Sequence, residues 1–291
     1  MPEGGHRSSI AQALDAAAEQ LERAGVLNAK REATALWAAV EGSKPGDVWL
    51  KREGAPEPPV AEQFWDAVRR RSSGIPFPYA VGRASFRTLE LKIDPRALIP
   101  RPETEGLVDL VLQWAGRRPN GVAVDVGTGS GCIALALAVE GMFERVIATE
   151  RSPETAALAR DNVALVNPRT PVEIREGDLL TPLAGGRYRV IVSNPPYLTA
   201  EEYEALATSV RLFEPKDALV SGLDGLEATR ALFAGAAALL EPGGTLVLEI
   251  DERRADRVHT LAREHGWGRI GIHNDLFGRP RYALAFPKED A

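Results

Sequence analysis

From Val122 onward the chain keeps one rhythm. Strands read at 121–126, 145–149, 172–176, 188–193 and 244–250 alternate with helices read at 130–140, 153–166, 226–240 and 253–265. The apolar run from Tyr188 to Val192 reads as a buried strand, and the helical segments are long enough for crossover connections. That alternation restricts the chain to an α/β fold with a mainly parallel, doubly wound sheet. Two further runs, 268–273 and 280–286, are joined by a short loop and predict an antiparallel pair. Ligands in such sheets sit beyond the carboxyl ends of the strands. The chemistry is therefore to be sought there.

Four successive strand ends carry distinctive residues. The first is Asp125-Val126-Gly127-Thr128-Gly129-Ser130-Gly131. Its glycines allow a tight turn and let a ligand touch backbone, and the helix that follows aims its first N–H groups at the same place. The spacing is G-x-G-x-G, which matches neither the dinucleotide fingerprint nor, lacking its Lys, a phosphate loop. It suits a ligand with an amino-acid end and a nucleoside end, such as S-adenosylmethionine; the alternative is a structural turn. The second strand ends at Glu150. A carboxylate about 20 residues past the glycines can accept from both ribose hydroxyls, or it can stabilise the N-terminus of the helix opening at Pro153. After the third strand, Asp178 can accept from an adenine amino group with Leu179 against the ring, or simply form a turn. The fourth delivers Ser193-Asn194-Pro195-Pro196-Tyr197. Two prolines hold this stretch extended and stiff. An Asn amide, free carbonyls and an aromatic face together suit a planar group bearing –NH2; a Pro-rich turn is the plainer reading.

The first part of the chain reads differently. Ser8 and Ser9 can cap a helix from Ile10, with Gly25 as its stop, and Asn28 can cap a second that ends before Gly42. A short piece spans 44–51, and Pro58-Pro59 open a fourth helix ending in Arg69-Arg70-Arg71. That basic run suits a helix C-terminus better than a nucleic-acid patch. Residues 1–73 thus predict a helical bundle with no recognisable chemistry. Ser72 to Pro78 breaks the pattern, and Ser85 to Ile93 alternates as one or two strands, so 74–100 reads as a linker with a β-hairpin. Next, Arg101 and Glu103 stand at the start of a helix carrying Leu107 and Val111, where a surface pair is one reading. Residues 101–291 hold the α/β domain.

Composition narrows the partners. The net charge is −6 over 291 residues, which is poorly suited to gripping a phosphate backbone. Cys132 is the only cysteine, so an intrachain disulfide and a Cys-rich zinc site are excluded and a reducing, cytoplasmic setting is expected. The four His residues show no ligand spacing, and no metal is expected. Met1 to Ser9 has no apolar core of a secretory signal, and no apolar run approaches the ~20 residues that span a bilayer.

The strand-end set resembles the class I S-adenosylmethionine-dependent methyltransferases acting on planar nitrogen. Asn-Pro-Pro-Tyr alone is shared with adenine-N6 and cytosine-N4 DNA methyltransferases. More is matched. Pro76-x-x-Tyr79-x-x-Gly82, Leu98-Ile99-Pro100-Arg101-Pro102-Glu103-Thr104-Glu105, Asp125 to Gly131, Asn194 to Tyr197, Phe213-Glu214-Pro215, Gly222-x-Asp224-Gly225-Leu226 and Asp275-x-x-Gly278-x-x-Arg281 occur in order. This set resembles the HemK/PrmC family, the protein-(glutamine-N5) methyltransferases of peptide-chain release factors. The resemblance implies a Rossmann-like methyltransferase domain with an N-terminal helical domain that docks the release factor, whose Gly-Gly-Gln loop enters the site. It also implies that the Asn194 side-chain oxygen and the Pro195 carbonyl accept the two amide hydrogens, with Pro196 and Tyr197 completing the site. Gly127 to Gly131, Glu150, Asp178, Leu179 and Asn194 would hold S-adenosylmethionine. No direct nucleic-acid binding is expected. Alternatives are glutamine methylation of another protein, a nucleic-acid amino-methyltransferase, or an interaction protein that has lost catalysis. Three positions depart from the family pattern: Glu150 stands for Asp, Asp251 for Gly and Arg254 for Gln.

Overall fold

The structure, a computed structural model, describes residues 9–116 and 121–288. The chain forms two compact units, Met1–Arg83 and Ala84–Ala291.

The first unit is helical: α1 (Ile10–Arg23), α2 (Ala29–Glu41), α3 (Pro45–Lys51), α4 (Pro58–Ser72) and α5 (Phe77–Val81). Ser9 and Gln12 form a reciprocal capping box at the start of α1; Ser8 lies outside the described residues. Asn28 precedes α2 but caps nothing with its side chain. It occupies the left-handed region at φ 55° instead, a conformation that Asn tolerates better than most residues. Leu21, Leu36, Trp37, Phe64 and Val68 fill the core, with the Trp37 and Phe64 rings 4.7 Å apart. The Pro76-Phe77-Pro78 stretch, which reads as a break, opens α5, because a proline in the first turn gives up an N–H that has no intrahelical partner anyway.

A hairpin follows, β1 (Arg83–Phe86) and β2 (Leu89–Lys92), all but its first residue in the second unit, and then α6 (Pro102–Ala115). The alternating elements then run β3 (Val122–Val126), α7 (Cys132–Glu140), β4 (Arg145–Glu150), α8 (Pro153–Val166), β5 (Val172–Glu176) and β6 (Tyr188–Ser193). After β6 come α9 (Ala200–Glu204) and α10 (Thr208–Phe213), in a region where the sequence shows no clear periodicity. The chain closes with α11 (Glu227–Gly235), β7 (Leu240–Glu249), α12 (Ala255–Glu264), β8 (Arg269–Asn274) and β9 (Pro280–Phe286).

The seven-stranded sheet has the order β5-β4-β3-β6-β7-β9-β8. The pairings from β5 through β7 are parallel, and β9 lies antiparallel to β7 and β8. The winding reverses between β3 and β6, so a crevice opens beyond their carboxyl ends. One expected helix is shortened. The 226–240 segment is helical only to Gly235, tightens into a 3-10 turn over Ala236–Leu239, and becomes strand at Leu240. Leu240 pairs with Tyr188 and Thr245 with Val190, so Glu241 to Gly244 bulge out of the ladder. The two faces of the sheet bury separate apolar layers, one around α7 and Leu107, the other around Phe233, Leu261 and Trp267. Residues Cys132 to Ala138 of α7 are all buried, as the apolar character of that segment all round its circumference requires.

Candidate active site

The residues after β3 and β6 meet across the switch point. Gly127, Thr128, Gly129, Ser130, Glu150, Asp178, Leu179, Asn194, Pro195 and Pro196 line one cleft of about 730 Å³, within the range of small-molecule sites. Gly131 and Tyr197 are not part of its lining. Gly127 and Gly129 have φ of 73° and 57°, and a Cβ on either would meet nothing within 4 Å. Their backbone conformation favours glycine, and the space before them is open to a ligand.

Glu150 is held from two sides. Its Oε2 accepts from the Gly129 N–H and its Oε1 from the Ser152 N–H, both at 3.0 Å. A carboxylate has about four acceptor positions, so two remain. The helix N-terminus itself is capped by the Ser152 hydroxyl. Beneath the glycine loop, Asp125 accepts from the Thr128 hydroxyl at 2.6 Å and the Ala134 N–H at 3.1 Å. Burial pushes its carboxyl up to about 7. Asp178 is exposed at the cleft edge. Leu179 next to it adopts φ 45°, a left-handed conformation that costs a residue with a Cβ about 1–2 kcal/mol. Its carbonyl accepts from the Thr149 hydroxyl at 3.0 Å.

The stretch after β6 is fastened on both sides. The Leu219 carbonyl accepts from the Tyr197 and Leu198 N–H groups at 3.2 and 2.9 Å. Gly225 passes so close that a Cβ would lie 2.5 Å from the Tyr197 carbonyl. The Asn194 side chain donates through Nδ2 to the Thr104 hydroxyl at 3.1 Å. Its Oδ1 is thereby left for another donor. The Pro195 carbonyl accepts no backbone N–H outside regular elements among the described residues. Tyr197 packs with Leu198, Tyr203 and Leu219. Burial and the nearby Glu249 carboxylate push its hydroxyl up to about 12, so it stays neutral at physiological pH.

Several contributors were not singled out from sequence. Arg101 does not pair with Glu103. It donates to buried Glu214 at 2.6 Å, and the Ile99 N–H donates to the same carboxylate at 3.2 Å. The 215–222 segment then forms a wall of the cleft. Both ends of this link lie in motifs quoted above, so the signal was present without its partner being evident. Glu105 accepts from the Arg87 N–H at 2.8 Å and anchors the hairpin. Asp251 and Arg254 do not line the cleft. Arg254 reaches Asp251 at 3.3 Å, Glu202 at 2.6 Å and the Asp224 carbonyl at 2.9 Å. Burial would raise the Asp251 carboxyl, but hydrogen bonds from Arg253 and the charges of Arg253 and Arg254 hold it below the usual range. The two departures thus share one ion-pair cluster with Arg253 and Glu202. Among the described residues no cluster of His, Cys, Asp and Glu could hold a metal ion, and no helix is long and apolar enough to cross a membrane.

Residues 12–82 match the model of the PrmC N-terminal domain, and residues 108–222 that of the methyltransferase small domain. A release factor glutamine methyltransferase of Moorella thermoacetica is 38% identical over 285 residues, covering 97% of this chain and 100% of its own. One of Deinococcus radiodurans is 40% identical over 273 residues, covering 94% and 96%. A methyltransferase from Pyrococcus furiosus superposes with a TM-score of 0.54 at 24% identity, over 75% of this chain and 97% of its own, and shares the fold. With two relatives matched along nearly their whole length and most of the strand-end residues lining one cleft, the chain belongs to the release factor glutamine methyltransferase family.

Proposed function

We propose that this chain transfers a methyl group from S-adenosylmethionine to the side-chain amide nitrogen of a glutamine, that of the Gly-Gly-Gln loop of a peptide-chain release factor. The observation that carries this reading is the orientation of Asn194. Its NH2 end is turned to Thr104, so its oxygen is the atom offered to a substrate amide. The open glycine loop and the half-satisfied Glu150 carboxylate fit a nucleoside-bearing ligand. Bound S-adenosylmethionine supplies an electrophilic methyl group on a sulfonium. Glu150 would accept from the ribose hydroxyls, Asp178 and Leu179 would meet the adenine end, and Gly127 to Ser130 would present backbone.

An amide nitrogen is a poor nucleophile because its lone pair is delocalised into the carbonyl. No ordinary side-chain base deprotonates it near neutral pH, so rate must come from positioning and local electrostatics. Asn194 Oδ1 and the Pro195 carbonyl accept the two amide hydrogens, which selects –NH2 and builds electron density on nitrogen. Tyr197 offers its ring to the amide plane. The N–C bond would form as the sulfonium S–C bond breaks, its electron pair staying on sulfur as a neutral thioether, and the methylated nitrogen, strongly acidic, would lose one proton to solvent. Mass spectrometry of release factors incubated with the enzyme and S-adenosylmethionine tests the proposal. One added methyl on the loop glutamine is expected; methyl on nucleic acid, or on nothing, refutes it.

Two further outcomes follow. Glu150→Ala should weaken S-adenosylmethionine binding by about 1–3 kcal/mol, the range for leaving hydrogen-bond partners unmade. Unchanged affinity by calorimetry removes Glu150 from the ribose role. We also assign docking of the protein substrate to the first unit, which carries a packed core but none of the cleft residues. A chain beginning at Ala84 should keep cofactor binding while methylation of an intact release factor falls steeply. Equal turnover by both forms would dismiss the docking role.

A further inference from the structure

Behind Asn194 lies a buried relay of two side chains. The Thr104 hydroxyl, at the start of α6, donates to Glu249 Oε2 at 2.8 Å, at the end of β7. Thr104 Oγ1 in turn accepts from Asn194 Nδ2 at 3.1 Å. Thr104 and Glu249 are only 3% and 1% exposed. A hydroxyl has a single proton. With that proton committed to a carboxylate, only lone pairs face Asn194, and only the NH2 end of its amide can answer them.

We propose that Thr104 and Glu249 are positioning residues that set the amide orientation of Asn194, and through it the selection of an –NH2 substrate group. An Asn amide is nearly symmetric in shape, so nothing steric distinguishes its two flips. The relay removes that degeneracy: the ionised carboxylate is acceptor only, the hydroxyl becomes donor on one side and acceptor on the other, and Oδ1 must face the cleft. Reversal follows from protonation. A protonated Glu249 can donate to Thr104, which frees the hydroxyl proton to turn toward Asn194. The amide then flips and presents NH2 to an incoming NH2, an arrangement without a hydrogen bond.

The pH at which this happens is set by the surroundings. Burial pushes the Glu249 carboxyl up to about 7; the Thr104 hydrogen bond and the charges of Arg281 on β9 and Arg101 before α6 oppose it, while Glu103 adds to it. Tyr197, Tyr282 and Cys132 also face Glu249, and each is held neutral, pushed up to about 12 mainly by burial. The active anionic form therefore prevails above pH 7 and is lost as pH falls through that value. Asp125, under the glycine loop, titrates in the same range, but it has no path through Thr104.

This inference rests on the acceptor role of Asn194, and the test separates the two. Single-turnover methyl transfer to a release factor is measured from pH 6 to 9 with S-adenosylmethionine affinity in parallel. Thr104→Val keeps the shape and removes the hydroxyl. It should bind the cofactor as the unaltered enzyme does, transfer methyl about tenfold more slowly at pH 8, the scale of one hydrogen bond, and lose the step near pH 7. Thr104→Ser should restore both rate and step. A Thr104→Val enzyme with full rate, or one that keeps the step, overturns the relay, as does a Ser variant no better than Val. If Thr104→Val does not fold, Glu249→Gln decides: loss of the step supports the relay and its retention refutes it. Full rate in Asn194→Ala instead refutes the underlying acceptor role.

Discussion

Asn194→Ala should still bind S-adenosylmethionine and transfer its methyl group about 10²-fold more slowly or worse, the loss typical of deleting one preorganised polar contact. The reason is geometric. Asn194 follows a fully buried strand end and is followed by two prolines, so its oxygen is aimed before the substrate arrives. Alanine removes the acceptor and leaves the Thr104 lone pairs unanswered. Asn194→Asp is a sharper probe. It keeps size and an acceptor but places a charge near the sulfonium, which stabilises the cationic ground state more than a transition state whose charge is being dispersed. Its cofactor affinity should hold or rise while its rate falls. Tyr197→Phe should be mild, since the ring and not the hydroxyl is used. Single-turnover kinetics with a release factor check all three; a near-normal rate in Asn194→Ala ends the mechanism.

Arg101→Ala should destabilise the second unit by about 3 kcal/mol, the low end for stripping a partner from a buried charge. Glu214 is the buried member, its side chain 2% exposed against 33% for Arg101. The Ile99 N–H keeps one carboxylate oxygen occupied, which is why the low end applies. For a unit of this size that loss lowers the melting temperature by about 6–12 °C. The wall formed by 215–222 begins right after Glu214, so cofactor affinity should drop as well. Combining Arg101→Ala with Glu214→Gln removes the stranded charge and should recover much of the loss. If the double variant is no more stable than Arg101→Ala, the effect comes from lost packing of the arginine stem, not from charge.

The parallel sheet was legible because strands buried on both faces are apolar along most of their length, and β3, β4 and β6 each carry such a stretch. Its strand ends were legible for the same reason: once the run is recognised, the next residues are placed. The region between Tyr197 and Leu226 was not. Helices α9 and α10 are five and six residues long, too short for a helical period to declare itself, and they are held by contacts such as the Tyr203 hydroxyl on the Arg211 carbonyl. Asn28 misled because a residue type that caps helices also tolerates left-handed backbone. The relay behind Asn194 was invisible for a different reason. Thr104 and Glu249 are separated by 145 positions, and no local pattern announces a hydrogen bond across that distance.

The placement of β9 has a consequence for the order in which the molecule is built. β9 follows every other strand in the chain, yet it sits inside the sheet, between β7 and β8. Tyr282 on β9 stands opposite Glu249 in the ladder. Its hydroxyl donates to the Glu103 carbonyl at 2.6 Å, joining positions 179 apart. Contacts of such long span carry the largest loop-closure entropy and form late. A nascent chain that has not yet produced Pro280 already owns its glycine loop, Asn194, Thr104 and Glu249, but it lacks the Tyr282 hydroxyl that ties the Glu103 carbonyl. That one fastening of the turn before Thr104 waits for β9.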